Sequence, residues 1–537
     1  MTARLFRTVL TMLAALTAFV AAPAQAQWLR AETAHFVVYG AVSESQIRAY
    51  AKKAERFDAL LRRYYPIEVD HEIPKLDIFL ADGRRDMLLA SPGISAGVGG
   101  YYSPNSGRIH AVVDLDAMSG DVVLFHEYAH HFMFQMRSNA YPSWFVEGFA
   151  EYYSTADIRD DRYQFGRHNP GRMNSLTRGA NTWAPMEDLL TWRYTASGRF
   201  PGHQYYAQAW AMTHYFMSTP ERTQMLGRYL NLVVNGQDSV SAMQQATGRT
   251  AGQLQDDLRR YLLGQINVLT PAIDMPDPEV AVTRLSAAES ALAWLNMRLD
   301  ATAVKEPARD TPQDETAQQR QRRERAERDA AETRAALIRE TLAVAARYPD
   351  ERIAILATAK AHRLALDPVA AMAALQPLLN DNETDGEMLR IAGFATLDQV
   401  ASADPEAAVR LRRRASGYFA RAMDSEPLDF RIYLGLNDTR AGQAQYPTDN
   451  DLATLEVAVT LAPQSFDARM RLGEAYLSRG MPDAAVLTVQ PVANSPHRSS
   501  YVRRARNLIA AARNQTPDEA AVEAEDEEEE EGAPDAA

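Results

Sequence analysis

Two patterned segments, one after the other, constrain this chain more than anything else in it. In the stretch Asp121 to Thr155, DVVLFHEYAHHFMFQMRSNAYPSWFVEGFAEYYST, His126 and His130 lie four positions apart. On a helix both imidazoles then leave one face about a turn apart and can grip a single ion. Glu127, rotated by about one helical step from His126, can lie beside that ion without binding it, where the general base of a metal-activated water belongs. A catalytic zinc usually takes about three protein ligands and keeps one position open, so another ligand is needed. The apolar helix WFVEGFAEYY offers Glu147 and Glu151, again four apart on one face. Sixteen residues separate His130 from Glu147, which suits the end of one helix, a turn at Asn139 and Pro142, and a second helix folded back on the first.

His126-Glu127-x-x-His130, Trp144 and Glu147-Gly148-x-Ala150-Glu151 together resemble the gluzincin, or thermolysin-like, zinc metallopeptidases, and most of all their bacterial peptidase MA-like branch, over roughly Leu29 to Met217. The resemblance implies an α+β zincin domain, zinc held by His126, His130 and Glu147, and Glu127 as the base acting on a peptide or protein substrate. It also implies that Glu151 holds a ligand histidine by its other ring nitrogen, an arrangement that metal-site physics favours. His131 falls off the ligand face and reads as an ordinary polar neighbour rather than a further ligand.

Residues 1–26 read as a secretory signal peptide, with Arg4 and Arg7, an apolar run from Thr8 to Ala22, and the cleavage pattern Ala24-Gln25-Ala26. The expectation is a periplasmic or secreted protein without a membrane span, because that run falls short of the roughly 20 residues a spanning helix needs. The absence of cysteine excludes disulfides and thiolate zinc sites. At 537 residues the chain exceeds what one core organises, so several domains are expected. Of the net charge of −13, most sits in the tail 516–537, which has eleven acids and no base and reads as disordered and solubilising. Nothing in the remainder suggests a nucleic-acid partner.

Residues 27–118 read as a small α/β lobe. HFVVYG forms a strand, and Ser43 caps a helix whose Ile47, Tyr50, Ala51, Ala54, Phe57, Leu60 and Leu61 recur at helical spacing. KLDIFLAD is a second strand, and YYSPNSGRIHAVVDL a hairpin turning at residues 104–107. By the resemblance, an edge strand of this lobe lines the cleft and pairs with an extended substrate. His110, on the hairpin, reads as a surface strand residue. Residues 119–275 read as the helical catalytic lobe, with the loop-like stretch after Thr155 as a cleft wall. In GHQYYAQAWAMTHYFMS, Tyr206 precedes Trp210 by four residues, as a tyrosine at the cleft does in the peptidase MA-like pattern. It either donates to an oxyanion or packs on Trp210, and Tyr205 and His203 are weaker candidates for the first role.

Residues 276–345 read as a charged helical linker, in which QQRQRRERAERDAAETR is either a long solvated helix or a flexible connector. In residues 346–515, Leu472-Gly473-x-x-Tyr476, Gly480 and Ala485 resemble tetratricopeptide (TPR) repeats, and Pro427 and Pro463, thirty-six residues apart, lie near that repeat's period. About four helical hairpins are expected there, stacked as an all-α solenoid with a surface for a protein partner. The sequence therefore points to an exported zinc metallopeptidase. The alternative is a catalytically silent envelope scaffold working through its repeats.

Overall fold

The structure is a computed structural model that describes residues 27–66, 72–104, 107–117, 120–136, 140–159, 162–178, 183–191, 202–264, 266–272, 277–304, 316–381, 384–495 and 500–514. The expected signal peptide, the hairpin tip at 105–106, Asn139, residues 305–315 of the expected linker and the acidic tail lie outside the described residues. None of the described helices is long and apolar enough to cross a membrane.

The N-terminal unit is built on a six-stranded mixed sheet of order β4-β5-β3-β2-β1-β8. Strands β1 (Leu29–Glu32) and β2 (Phe36–Gly40) pair antiparallel, and helix α1 (Glu44–Tyr64) carries the chain across to β3 (Leu76–Ala81), parallel to β2. Ser43 and Gln46 form a reciprocal capping box at the start of α1, and the apolar residues spaced along it are buried against the sheet. After α2 (Arg84–Ala90), β4 (Gly100–Pro104) and β5 (Ile109–Asp114) form the expected hairpin. Strand β5 lies inside the sheet, parallel to β3, and β4 is left at the edge.

Helices α3 (Gly120–Met136) and α4 (Ser143–Ser154) follow, then the short pair β6 (Asp157–Ile158) and β7 (Tyr163–Gln164). The rest of the unit is helical: α5 (Pro170–Arg178), α6 (Met186–Thr191), α7 (Gly202–Met217), α8 (Pro220–Val234), α9 (Ser239–Thr247) and α10 (Ala251–Leu262). One continuous core joins the inner face of the sheet, through Phe36, Val38 and Ile78, to Phe57 of α1, Phe125 of α3, Trp144 of α4 and Trp210 of α7.

Two expectations need correction. His110 is not a surface residue: it is 1% exposed, between the rings of Phe79 and Tyr101, because both faces of β5 are covered. Burial, reinforced by Arg108, lowers its pKa to about 4. Nor do the described parts of 276–345, residues 277–304 and 316–345, serve merely as a connector. Strand β8 (Ala281–Arg284) pairs with β1 at the far edge of the sheet, with Leu29 opposite Arg284 and Glu32 opposite Ala281. Helix α11 (Ala287–Ala301) then covers the outer face of the sheet, where Trp294 meets Trp28 edge to face at 4.9 Å. Its other side, through Leu292, Leu295 and Leu299, packs on Leu337 and Ala345 of α12 (Ala317–Ala345) and on Ala354 and Ala357 beyond it. Only the first half of α12 is solvated, as its polar composition requires; Leu337, Thr341 and Ala345 are buried at a spacing of four.

The helices that follow stack as TPR-like antiparallel pairs: α13 (Arg352–Leu364) with α14 (Pro368–Asp381), α15 (Gly386–Asp398) with α16 (Pro405–Ser425), α17 (Phe430–Arg440) with α18 (Asp449–Leu461), and α19 (Phe466–Ser478) with α20 (Pro482–Ala493), closed by α21 (Ser500–Ala512). Gly473 shows why a small residue recurs in such a pair, since a Cβ there would stand 2.3 Å from Val489 Cγ1.

The solenoid lies against the N-terminal unit. Arg108 on the sheet pairs with Asp77 (2.7 Å) and Asp300 (3.2 Å), Asp300 with Lys360 (2.8 Å), and Lys360 with Glu387 (2.8 Å). Arg431 reaches both Asp429 (2.6 Å) and the Gly107 carbonyl (2.7 Å). Burial alone would raise the Asp429 carboxyl, but Arg431 and Arg390 outweigh it and hold it below the usual carboxylate range. Asp77, Arg108, Asp300, Glu387, Asp429 and Arg431 help to wall a cleft of about 610 Å³ between the two units. His131 and Gln135 of α3 border that cleft, whereas His126, His130 and Glu147 do not.

Candidate metal centre

Helix α3 carries His126 and His130 on the face turned toward α4, which returns antiparallel and buries all twelve of its residues. Gly148 sets how closely the next layer approaches. A Cβ at this position would lie 2.2 Å from Thr213 Oγ1 and 2.4 Å from the Ala209 carbonyl oxygen, so α7 packs directly onto the α4 backbone. Gly148→Ala is expected to cost about 1–3 kcal/mol or more, read as a lower Tm of the full chain. An unchanged Tm would mean that α4 and α7 are not in such contact.

Three donor atoms converge. His126 Nε2 and His130 Nε2 are 3.1 Å apart, and Glu147 Oε2 lies 3.3 Å from the first and 3.5 Å from the second. All three side chains are buried, Glu147 without any exposed surface. Zinc bonds of about 2.0–2.2 Å to nitrogen and oxygen place neighbouring ligand atoms about 3.3 Å apart on the edges of a tetrahedron, which matches this triangle. The donor set of two imidazoles and one carboxylate therefore fits zinc in chemistry and in spacing. Burial opposes a charged His126, but Glu147, Glu151 and Glu127 together outweigh it and raise its pKa to about 9. The same carboxylates would stabilise a divalent cation.

Glu127 is half-buried and outside this donor group. It lies near Tyr102 of the edge strand β4, whose phenol is pushed well up by burial and then by the Glu127 charge. Glu151 faces the far nitrogen of His126, with Oε1 3.6 Å from Nδ1, beyond hydrogen-bonding distance. Its strong bonds go instead to Arg172, which donates from two nitrogens at 2.7 and 3.1 Å. Arg172 stands on α5, inside the stretch that reads as loop in the sequence, and nothing in its spacing singles it out. With Glu127, Glu147 and Glu151 it leaves a formal charge of −2, which one divalent cation neutralises.

Tyr206 of α7 is brought to the site, its ring 6.4 Å from that of His126 and 4.8 Å beneath the Arg172 guanidinium. Tyr205 is wholly buried and His203 is exposed. His131 points away from the triangle: its Nδ1 lies 2.8 Å from the Tyr102 hydroxyl, and burial lowers its pKa to about 3. A second cluster, His35, Glu55 and Asp58, suits a metal less well. Asp58 already accepts from Arg62 and from the Tyr128 hydroxyl, both at 2.6 Å, and so fastens α1 to α3.

Solved structures similar to the chain include a thermophilic TPR protein of Thermus thermophilus, at 17% identity over 36% of this chain and 98% of that one with a TM-score of 0.31. Another is MamA, at 18% identity over 31% and 92% with a TM-score of 0.24. No curated protein matches the chain. Residues 122–235, from the first turn of α3 to just past the end of α8, are similar to a family described as a protein of unknown function (DUF1570).

Proposed function

We propose that this chain is an exported zinc-dependent metallopeptidase with a gluzincin-like catalytic domain. The observation that carries the reading is the buried triangle of His126 Nε2, His130 Nε2 and Glu147 Oε2, with edges of 3.1 to 3.5 Å. These three residues would hold zinc, which supplies Lewis acidity, polarising a carbonyl and lowering the pKa of water to about 7. Glu127, beside the triangle but outside it, would take the proton of the attacking water and return it to the leaving nitrogen. Tyr206, held between His126 and Arg172, would donate to the tetrahedral oxyanion. Arg172 and Glu151 orient this face of the site. Strand β4, which ends the sheet among the described residues, would align an extended peptide along its outer side by main-chain hydrogen bonds. The signal-peptide pattern at residues 1–26 supports export to the periplasm or beyond.

The test is metal analysis of the purified mature chain together with cleavage-site mass spectrometry on a peptide library. About one zinc per chain and cleavage abolished by chelation are expected. A folded chain that takes up no zinc would remove the reading. Full zinc occupancy with no cleavage would favour the silent scaffold, whose support is the helical repeats.

A further inference from the structure

The segment that launches α4 lacks the support a helix start normally has. Pro142 occupies the N-cap position and makes no side-chain capping bond. Support comes instead from the far end of the chain. Asn494, the residue that ends α20, donates from Nδ2 to the carbonyls of Ala140 (3.3 Å) and Tyr141 (3.2 Å), and its own carbonyl accepts from Ser143 Oγ (2.8 Å). Its Oδ1 accepts from Gln490 at 3.0 Å, which fixes the amide orientation. One solenoid residue thus grips both sides of Pro142, shortly before the ligand Glu147.

A second solenoid amide addresses the other ligand helix. Gln464, buried between α18 and α19, donates to the carbonyl of His131 at 3.2 Å, one residue from the ligand His130. The donor triangle has edges that a shift of a few tenths of an ångström between α3 and α4 would spoil, and these two amides, both from the solenoid, bear on both helices.

On the footing of the zinc reading above, we infer that the helical repeats act in cis as a brace on the metal site, with Asn494 and Gln464 as positioning residues that hold α3 and α4 in the register zinc needs. The edge of the solenoid facing the N-terminal unit is then committed to this chain's own ligand helices rather than to a separate partner.

The test uses the full chain carrying Asn494→Leu, Asn494→Asp or Gln464→Leu, with Leu472→Ala in the solenoid core as a control for lost stability alone. Zinc affinity is read by competition with a fluorescent chelator, and site geometry by the visible absorption of the cobalt-substituted protein. Both Asn494 variants are expected to bind zinc about 10–100-fold more weakly, the range lost with other supports of metal ligands, and to shift the cobalt bands; Leu472→Ala leaves both unchanged. Amide exchange of the metal-free protein provides a readout that needs no zinc. Phe145 and Val146, whose amides bond the Pro142 carbonyl, should exchange about tenfold faster in the Asn494 variants. Unchanged exchange there overturns the brace. Wild-type affinity and cobalt spectrum in the Asn494 variants overturn it equally. Failure of the wild-type chain itself to bind zinc removes the zinc reading, while the exchange result still decides whether Asn494 braces α4.

Discussion

Glu127→Gln should leave the zinc content of the chain at the wild-type level and lower kcat by about 10²–10⁴, the usual contribution of a positioned general base. The expectation rests on placement. Glu127 follows His126 on α3, is half-buried toward Tyr102 of β4, and stands outside the trio of converging donors. Glutamine keeps the shape and loses the ability to take a proton. Metal analysis and steady-state kinetics on one preparation separate the outcomes. Loss of zinc along with activity would make Glu127 a ligand, and retained activity would remove it from the chemistry.

Glu147→Gln should act on the metal instead. Its carboxylate is fully buried against both imidazoles, so the substitution removes a charged ligand and keeps the packing. Zinc affinity should fall by at least about 100-fold, the upper end of what the loss of a mere ligand support costs. Thermal unfolding reports this without any substrate. At zinc about 1,000-fold above its Kd the wild-type chain gains about 4 kcal/mol, whereas a 100-fold weaker site gains about 1.4 kcal/mol at the same concentration. Without zinc the order need not follow, because a buried carboxylate is costly and its removal can be neutral. Equal zinc-dependent shifts in the two proteins would place the metal elsewhere.

The donor trio was legible because helical spacing is rigid: histidines four apart share a face, and a returning helix brings Glu147 to them. Ser43 and the apolar stripe of α1 were legible for the same reason. His110 was misread because alternation along a strand does not say whether the second face is covered, and Trp294, some 180 residues later, belongs to the layer that covers the sheet. Arg172 left no trace, since a cation that neutralises a buried carboxylate needs only to arrive, at no particular interval. The linker was misread because the polar run 317–334 dominated its composition, while β8 is four residues long and mostly exposed. Asn494 and Gln464 are ordinary residues until the solenoid folds back on α3 and α4.

The position of β8 has a consequence for how the molecule is made. Strand β1 is synthesised about 250 residues before its outer neighbour β8. Until then β1 presents an open row of backbone donors and acceptors, a template for pairing with another molecule. A boundary drawn at residue 275 would leave that row permanently bare, so the smallest autonomous piece containing the His126–His130–Glu147 triangle must run at least through α11, where the first turn of the solenoid is already being laid.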